Sequence, residues 1–347
     1  MHEVLKVKEK QISIHKTISM PNFGSKTVLV SDPWEYVEMF LKRNSKKKNK
    51  HALFFWQQAK QFAEASKILP LTSSPLTNYY SFLNATKTLL IYKGVEFAEE
   101  HGVSGNKMNK NVSLTTEIVK LKTSGILPAL TRYIEGNSFS EKEDYSLREI
   151  FYNLAFIHRA YCLTYDCDDL FLPIKNPQFV KRKDRSDCWM TLKVDAQYTQ
   201  IHQLNLLPSD FSIDVKEKEE AIVEYKKFKF KDEIGLERLQ KNHQKIRLNM
   251  QYIYGSSRMW YLKLNPKPST RHRVIDRNPL TLMYASMHRL SELSRYQPDL
   301  LQKHFNSSTH NWLLTEFLRL APIQFIDSIA AEITGHEFMP PGYVSRN

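Results

Sequence analysis

The chain has 347 residues, with 50 Lys and Arg against 37 Asp and Glu, and three cysteines. That length accommodates two domains, or one domain with a large insertion, and the net charge of +13 points to a polyanionic partner, nucleic acid or an anionic surface. Three cysteines make no disulfide framework, the leading MHEVLKVKEKQISI lacks the apolar core of a signal peptide, and no apolar run reaches the length of a bilayer span, so the expectation is a soluble cytoplasmic protein with reduced thiols and no membrane contact.

Residues 1–30 alternate apolar and polar in short pieces, VLKVKEKQISI and KTVLVS, which predicts one or two strands. Ser31-Asp32-Pro33 then caps a helix, WEYVEMFL. LKRNSKKKNKH follows without apolar periodicity, as a basic linker open to two readings, a solvated loop or a contact surface. From Ala52 the pattern is helical, with Phe54, Gln58 and Phe62 at i, i+4, i+8 and Phe55, Ala59 and Ala63 beside them. Ser74-Pro75 opens a longer helix, PLTNYYSFLNATKTLLIYKGVEF, whose stripe of Leu76, Tyr79, Tyr80, Leu83, Thr86 and Leu90 should face a core.

The loop HGVSGNKMNKN leads into strand-like SLTTEIVKLK and GILPALTRYI, then into a helix from Ser146. After Pro173 the composition changes. DCWMTLKVDA, AIVEYKKFKF and LNMQYIYGSSRMWYLKLN read as strands, the last as a hairpin turning at Gly255, with the helical pieces TQIHQLNLL and RLQKNH between them. The last third is helical again: Asn278-Pro279 starts LTLMYASMHRLSELSRY, Pro298–Phe305 follows, and Pro322 kinks or splits a final long helix. The expected fold is mainly α, α+β overall. It has a helical bundle-like core divided into residues 1–174 and 271–347, with a basic α+β subdomain inserted at 175–270.

Three stretches carry a resemblance. They are the helix PLTNYYSFLNATKTLL, then His101-Gly102-Val103-Ser104 with Lys107 and Lys110, and then LSELSRYQP from Leu290 to Pro298. In this order and spacing, over roughly residues 30–335, they resemble the YaaC-like family of bacterial proteins. The resemblance implies a mostly helical bacterial cytoplasmic protein and a bacterial accessory or phage-defence setting, and it supplies no reaction. The long helices are also similar to the HEPN superfamily of helical ribonucleases and interaction domains.

HEPN ribonucleases pair an arginine with a nearby histidine, and RLQKNH offers Arg238 and His243, with Leu239 where a polar residue is the rule. A histidine can move the 2′-OH proton and an arginine can stabilise charge developing on phosphate, with no metal or other cofactor needed. The alternative is a solvated helix face. Residues 226–273 hold thirteen Lys and Arg against Asp232, Glu233 and Glu237. Lys226, Lys227, Lys229, Lys241, Lys245, Arg247, Arg258, Arg271 and Arg273 are candidate phosphate contacts and Trp260 a candidate base-stacking residue. Strand alternation leaves open that the aromatics are buried instead.

His101, Ser104 and Lys107 form a candidate anion-binding loop, because a Gly beside them lets backbone N–H groups approach a ligand; a tight turn is the competing reading. His158, Cys162, Cys167 and Cys188 lack the CxxC spacing of structural zinc and read as ordinary buried groups, so no metal is expected. Arg295 reads as satisfying carbonyls at a helix end. There is no Walker loop, GxGxxG, HExxH or GxSxG, which removes the readily recognised ATPase, dehydrogenase, zinc-protease and hydrolase classes. The expected function is RNA or DNA binding through the basic insertion, with metal-independent RNA cleavage as its catalytic version. The alternative is a non-catalytic interaction subunit that binds a partner protein or forms a homo-oligomer.

Overall fold

The computed structural model describes residues 2–7, 9–43, 47–106, 111–137, 139–198, 204–216, 220–255, 259–266 and 272–341. Its helices are α1 (Trp34–Lys42), α2 (Lys47–Ile68), α3 (Ser74–Lys93), α4 (Ile126–Glu135), α5 (Leu147–Tyr152), α6 (Ala155–Tyr165), α7 (Asp232–Leu248), α8 (Pro279–Tyr296), α9 (Pro298–Asn306) and α10 (Asn311–Thr334). Its strands are β1 (His2–Val4), β2 (Lys6–Val7), β3 (Lys10–Gln11), β4 (Val28–Leu29), β5 (Val103–Gly105), β6 (Ile118–Leu121), β7 (Glu143–Ser146), β8 (Phe171–Arg182), β9 (Asp187–Asp195), β10 (Phe211–Lys216), β11 (Glu220–Tyr225), β12 (Phe228–Lys229), β13 (Met250–Ile253), β14 (Met259–Lys263) and β15 (Phe338–Met339). The protein is α+β. Among the described residues no helix is long and apolar enough to cross a membrane.

The chain forms two compact units. One is β-rich and combines Met1–Ser31, Asp169–Pro268 and Gly335–Asn347; the other is mostly helical and combines Asp32–Asp168 with Ser269–Thr334. This differs from a simple insertion, because both outer segments join the β-rich unit. Strand pairing is the reason: β1 lies antiparallel to β8, with His2 opposite Arg182, and β15 lies parallel to β4.

The main sheet runs β10-β11-β9-β8-β14-β13, built on the hairpin of β8 and β9. Along β11 the burial alternates, so that Ala221, Val223 and Tyr225 face inward, the period-2 signature of a half-buried strand. Helix α7 offers Leu239, His243 and Ile246, spaced i, i+4, i+7, to the core that also holds Phe179, Leu192 and Trp260. The expected hairpin is present, pairing Gln251 with Tyr261.

In the helical unit α3 is central and packs on α2, α8 and α10. Its C-terminus is capped by Gly94 in the left-handed region, at φ 71, where a side chain would add strain. The Phe82 ring stacks on Phe325 with centroids 3.9 Å apart, and both side chains are fully buried. A three-stranded antiparallel sheet, β5-β6-β7, completes the unit.

Several local expectations are corrected. GILPALTRYI is the helix α4, because Ile126, Leu127, Leu130 and Ile134 follow helical spacing and Pro128 sits in the first turn, where its missing N–H costs nothing. HGVSG contains strand β5. The helix expected from Ser146 is two helices, α5 and α6, and Ser146 and Glu149 make a reciprocal capping box at its start. Pro322 does not split the last helix, since it lies within the single helix α10.

Truncating Phe82 to Ala removes one half of the Phe82–Phe325 stack and opens a cavity. It should lower unfolding free energy by about 3–5 kcal/mol, read as a reduced urea midpoint in a helical circular-dichroism titration, with Phe82→Leu losing less.

Candidate functional site

The pair Arg238 and His243 does not assemble. Residues five apart on an α-helix lie about 140° apart; Arg238 faces solvent while His243 is fully buried. His243 Nε2 accepts the backbone N–H of His15 at 3.0 Å, and its ring meets the Phe23 edge at 5.3 Å. Burial, with the nearby Arg247 charge, holds this imidazole well below its ordinary pKa. It is a neutral core histidine, and the HEPN-like reading of RLQKNH loses its residues.

The basic stretch is also dispersed by the fold. Arg247 is buried, donates to the carbonyls of Met250 and Lys16, and lies 4.7 Å over the Trp260 ring. Trp260 itself is 2 % exposed and has no face for a base. Lys226, Lys229 and Lys241 pair with Asp210, Asp187 and Glu237 at 2.8, 2.6 and 3.0 Å. Two of those acids come from elsewhere in the sequence, so a charge count along one stretch overstates the local field. Lys227 lies over Trp189, and Lys245 is exposed. Arg273 belongs to the helical unit, over Tyr145. Arg258, Arg271 and Lys107 lie outside the described residues. The β-rich unit still holds 25 Lys and Arg against 16 Asp and Glu, so it carries +9 of the net +13.

Ser104 lies in β5 opposite Lys120, whereas His101 leads to a more organised site in the helical unit. Helix α3 supplies Tyr79 and Tyr80. Helix α8 supplies Tyr284, His288 and Glu292 at successive i, i+4 positions, with Arg289 and Arg295 beside them. The Tyr79 hydroxyl is 2.6 Å from His101 Nδ1 and 3.3 Å from the Tyr284 hydroxyl. The rings of Tyr79 and His101 lie 4.8 and 5.4 Å from that of His288. Of the four, His101 alone is exposed. Its Nδ1 is taken by Tyr79, so Nε2 is the nitrogen left to act on a ligand.

Beneath these rings lies a chain of buried charge. Glu292 accepts the Gly105 N–H at 3.1 Å and Arg289 at 3.0 Å. A Cβ at Gly105 would collide with the Arg289 guanidinium and the Glu292 carboxylate, so the close approach of β5 to α8 needs glycine. Arg289 sends Nε and Nη2 to one oxygen of Glu117, at 3.0 and 2.6 Å. The other Glu117 oxygen is 3.3 Å from His304 Nε2, and His304 Nδ1 is 2.9 Å from His310 Nε2. Burial pushes the Glu117 carboxyl up, but His304 and Arg289 outweigh it and leave it below the ordinary carboxylate value.

Histidine protonation follows from the same surroundings. Burial and the charges of Arg295 and Lys87 lower His101. Burial, with His101 and Arg289 nearby, pulls His288 down to about 3. Burial and the adjacent His304 pull His310 down to about 4. Burial and Tyr284 hold the Tyr79 phenol far above its ordinary value, so it remains a proton donor. Two proton arrangements satisfy the cluster. Tyr79 donates to His101 Nδ1 and leaves Nε2–H as a donor, or His101 donates to Tyr79 and leaves Nε2 as a base.

Sequence reasoning missed Tyr284, His288, Arg289, Glu117, His304 and His310. The available signal was Tyr284, His288 and Glu292 recurring every four residues inside an otherwise apolar helix. Of the supposed zinc set, Cys188 lies in the β-rich core, where burial pushes its thiol up to about 12, while His158, Cys162 and Cys167 belong to the helical unit.

These features define an α+β protein of two units, with an exposed histidine set above a buried Glu–Arg–His network. The chain belongs to the YaaC-like protein family, whose model matches residues 23–333. No curated protein matches the chain, and no solved structure does.

Replacing Glu117 by Ala removes the carboxylate that takes two of the buried Arg289 nitrogens and leaves only the carboxylate of the partly exposed Glu292; it should cost about 3 kcal/mol of stability, measurable as a lowered urea midpoint. A pH series tests the neutral histidines. His288 and His310 take up protons on unfolding once pH falls below about 6.5, so stability should fall from there toward pH 4, with Glu117 adding its loss below about 4.5. His288→Gln should make that slope shallower by up to about 1.4 kcal/mol per pH unit, one proton's worth.

Proposed function

We propose that this protein binds a phosphate-bearing polyanion, RNA or DNA, and that the helical unit presents His101 to a phosphate. The supporting observation is an exposed, neutral histidine held by Tyr79, on which the charges of Arg295, Lys87 and Lys122 outweigh that of Glu292, although Lys87 also pairs with Glu99. Cations at such a position attract phosphate and stabilise charge that builds on it. A neutral imidazole there can give or take a proton. The excess positive charge of the β-rich unit supports the same ligand class. Metal-independent cleavage of RNA, if this chain performs it, then uses His101 with Arg295 rather than Arg238 with His243. A bacterial accessory or phage-defence role is compatible with that ligand.

A second reading has its own observation. Trp312 and Ile323 are 50 % and 49 % exposed on α10, and eleven residues return a side chain to nearly the same helix face. With the Glu316–Arg319 pair between them, these two apolar side chains make a mixed face suited to cover by a partner protein or a second copy of this chain.

The two readings separate in one set of measurements. Fluorescence anisotropy with labelled single-stranded RNA, single-stranded DNA and duplex DNA, in EDTA, should show binding that weakens steeply with salt. Charge reversal of Lys227 together with Lys183 and Arg185, two exposed cations in the turn between β8 and β9, should reduce the single-strand salt slope by about 2, and His101→Ala should abolish any cleavage without abolishing binding. Absence of salt-sensitive binding to all three would sink the polyanion reading. A mass above the monomer in light scattering that Trp312→Glu reduces to one chain would favour the interaction reading.

A further inference from the structure

The end of α6 holds a second cluster that the proposed function does not use. His158 Nε2 is 3.2 Å from Cys162 Sγ, and Cys167 Sγ is 3.3 Å from Cys162 Sγ. His158 and Cys162 are one helical turn apart, so they share a face. Cys167 would not share it if the helix continued. Asp166 instead ends α6 in the left-handed region, at φ 48, and turns Cys167 back over Cys162. Aspartate tolerates this conformation better than most residues but at some cost.

The histidine is oriented for chemistry. Its Nδ1 lies 2.9 Å from the Tyr152 carbonyl oxygen, which only accepts. Nδ1 therefore carries the proton, and Nε2 presents its lone pair to the Cys162 thiol. Tyr152 and Tyr161 flank the ring, at 5.3 and 6.4 Å between centroids, and hold it in that plane. Cys162 and His158 are buried and Cys167 is half-buried, so an oxidant meets Cys167 first.

We propose that Cys162 and Cys167 are a reversible thiol–disulfide pair, with His158 as the positioned base and a peroxide as the oxidant. Cys167 sulfur attacks the peroxide, the O–O bond breaks, and one water leaves, giving a sulfenic acid. His158 Nε2 then takes the Cys162 proton. The Cys162 thiolate attacks the Cys167 sulfur, the S–O bond breaks, and the departing hydroxide recovers the proton from His158 and leaves as the second water. Two thiols lose two electrons, and the peroxide gains them. Closing the bond needs about 1 Å of sulfur movement, since a disulfide is about 2.0 Å long.

The test is thiol counting on the whole folded chain. After brief hydrogen peroxide, alkylation in denaturant should find one reactive thiol instead of three. The intact mass should fall by two hydrogens, peptide mapping should join Cys162 to Cys167 and leave Cys188 alkylated, and dithiothreitol should restore all three. Cys162→Ser should leave a Cys167 sulfenic acid that dimedone traps. His158→Gln, with an unchanged circular-dichroism spectrum, should slow closure about a hundred-fold at neutral pH, the low end for general-base help, and recover at raised pH. Three intact thiols after peroxide, or a disulfide that uses Cys188, would overturn the proposal. So would protection of both thiols by bound zinc that a chelator removes, which would make His158, Cys162 and Cys167 metal ligands instead.

Discussion

The helical unit depends on the contact between Glu117 and Arg289. Both groups are buried, and taking two charges out of water costs several kcal/mol each unless the geometry is tight. Here two guanidinium nitrogens converge on one carboxylate oxygen and His304 occupies the other. The pair ties the start of β6 to α8. The remaining donor of Arg289 fixes Glu292, which holds the Gly105 N–H and so the strand that follows His101. The exposed histidine is therefore positioned by a buried ion pair rather than by its loop alone.

Histidine in this protein is mainly an interior hydrogen-bonding group. His15, His158, His243, His288, His304 and His310 are buried, half of the twelve in the chain. A neutral imidazole has one donor and one acceptor in fixed directions, so it can close a polar network that a carboxamide or hydroxyl would fit less well. His243 accepts from a backbone N–H, and His304 bridges Glu117 and His310. His101, at the edge of such a network, keeps Nε2 for something outside the protein.

Much of the architecture was legible in the sequence because periodicity reports burial. Helix α3, the β13–β14 hairpin and the helix starting at Asn278-Pro279 all appear where the pattern placed them, although α3 is buried beyond its expected stripe, with Phe82, Ala85 and Leu89 fully covered. Two kinds of information were not legible. The first is facing: GILPALTRYI supports either period over so few residues, and Arg238 and His243 look adjacent in text but point apart on α7. The second is pairing across distance. Asp187 and Asp210 neutralise lysines some forty and sixteen residues later, and Glu117 meets a residue of α8. Local charge sums contain no trace of such contacts. Of the candidate site, His101 was found through the glycine-containing loop, while its buried foundation was hidden inside a helix that read as core.

The division of the chain has a consequence for its birth on the ribosome. The β-rich unit draws on three separate segments and the helical unit on two, so the chain passes between them four times. Synthesis has to reach Thr334 before the helical unit is whole and Met339 before β15 can join β4. Such long-range closure slows folding and leaves apolar surface uncovered while the chain waits. A premature stop that removes only the last few elements would leave both units unfinished at once.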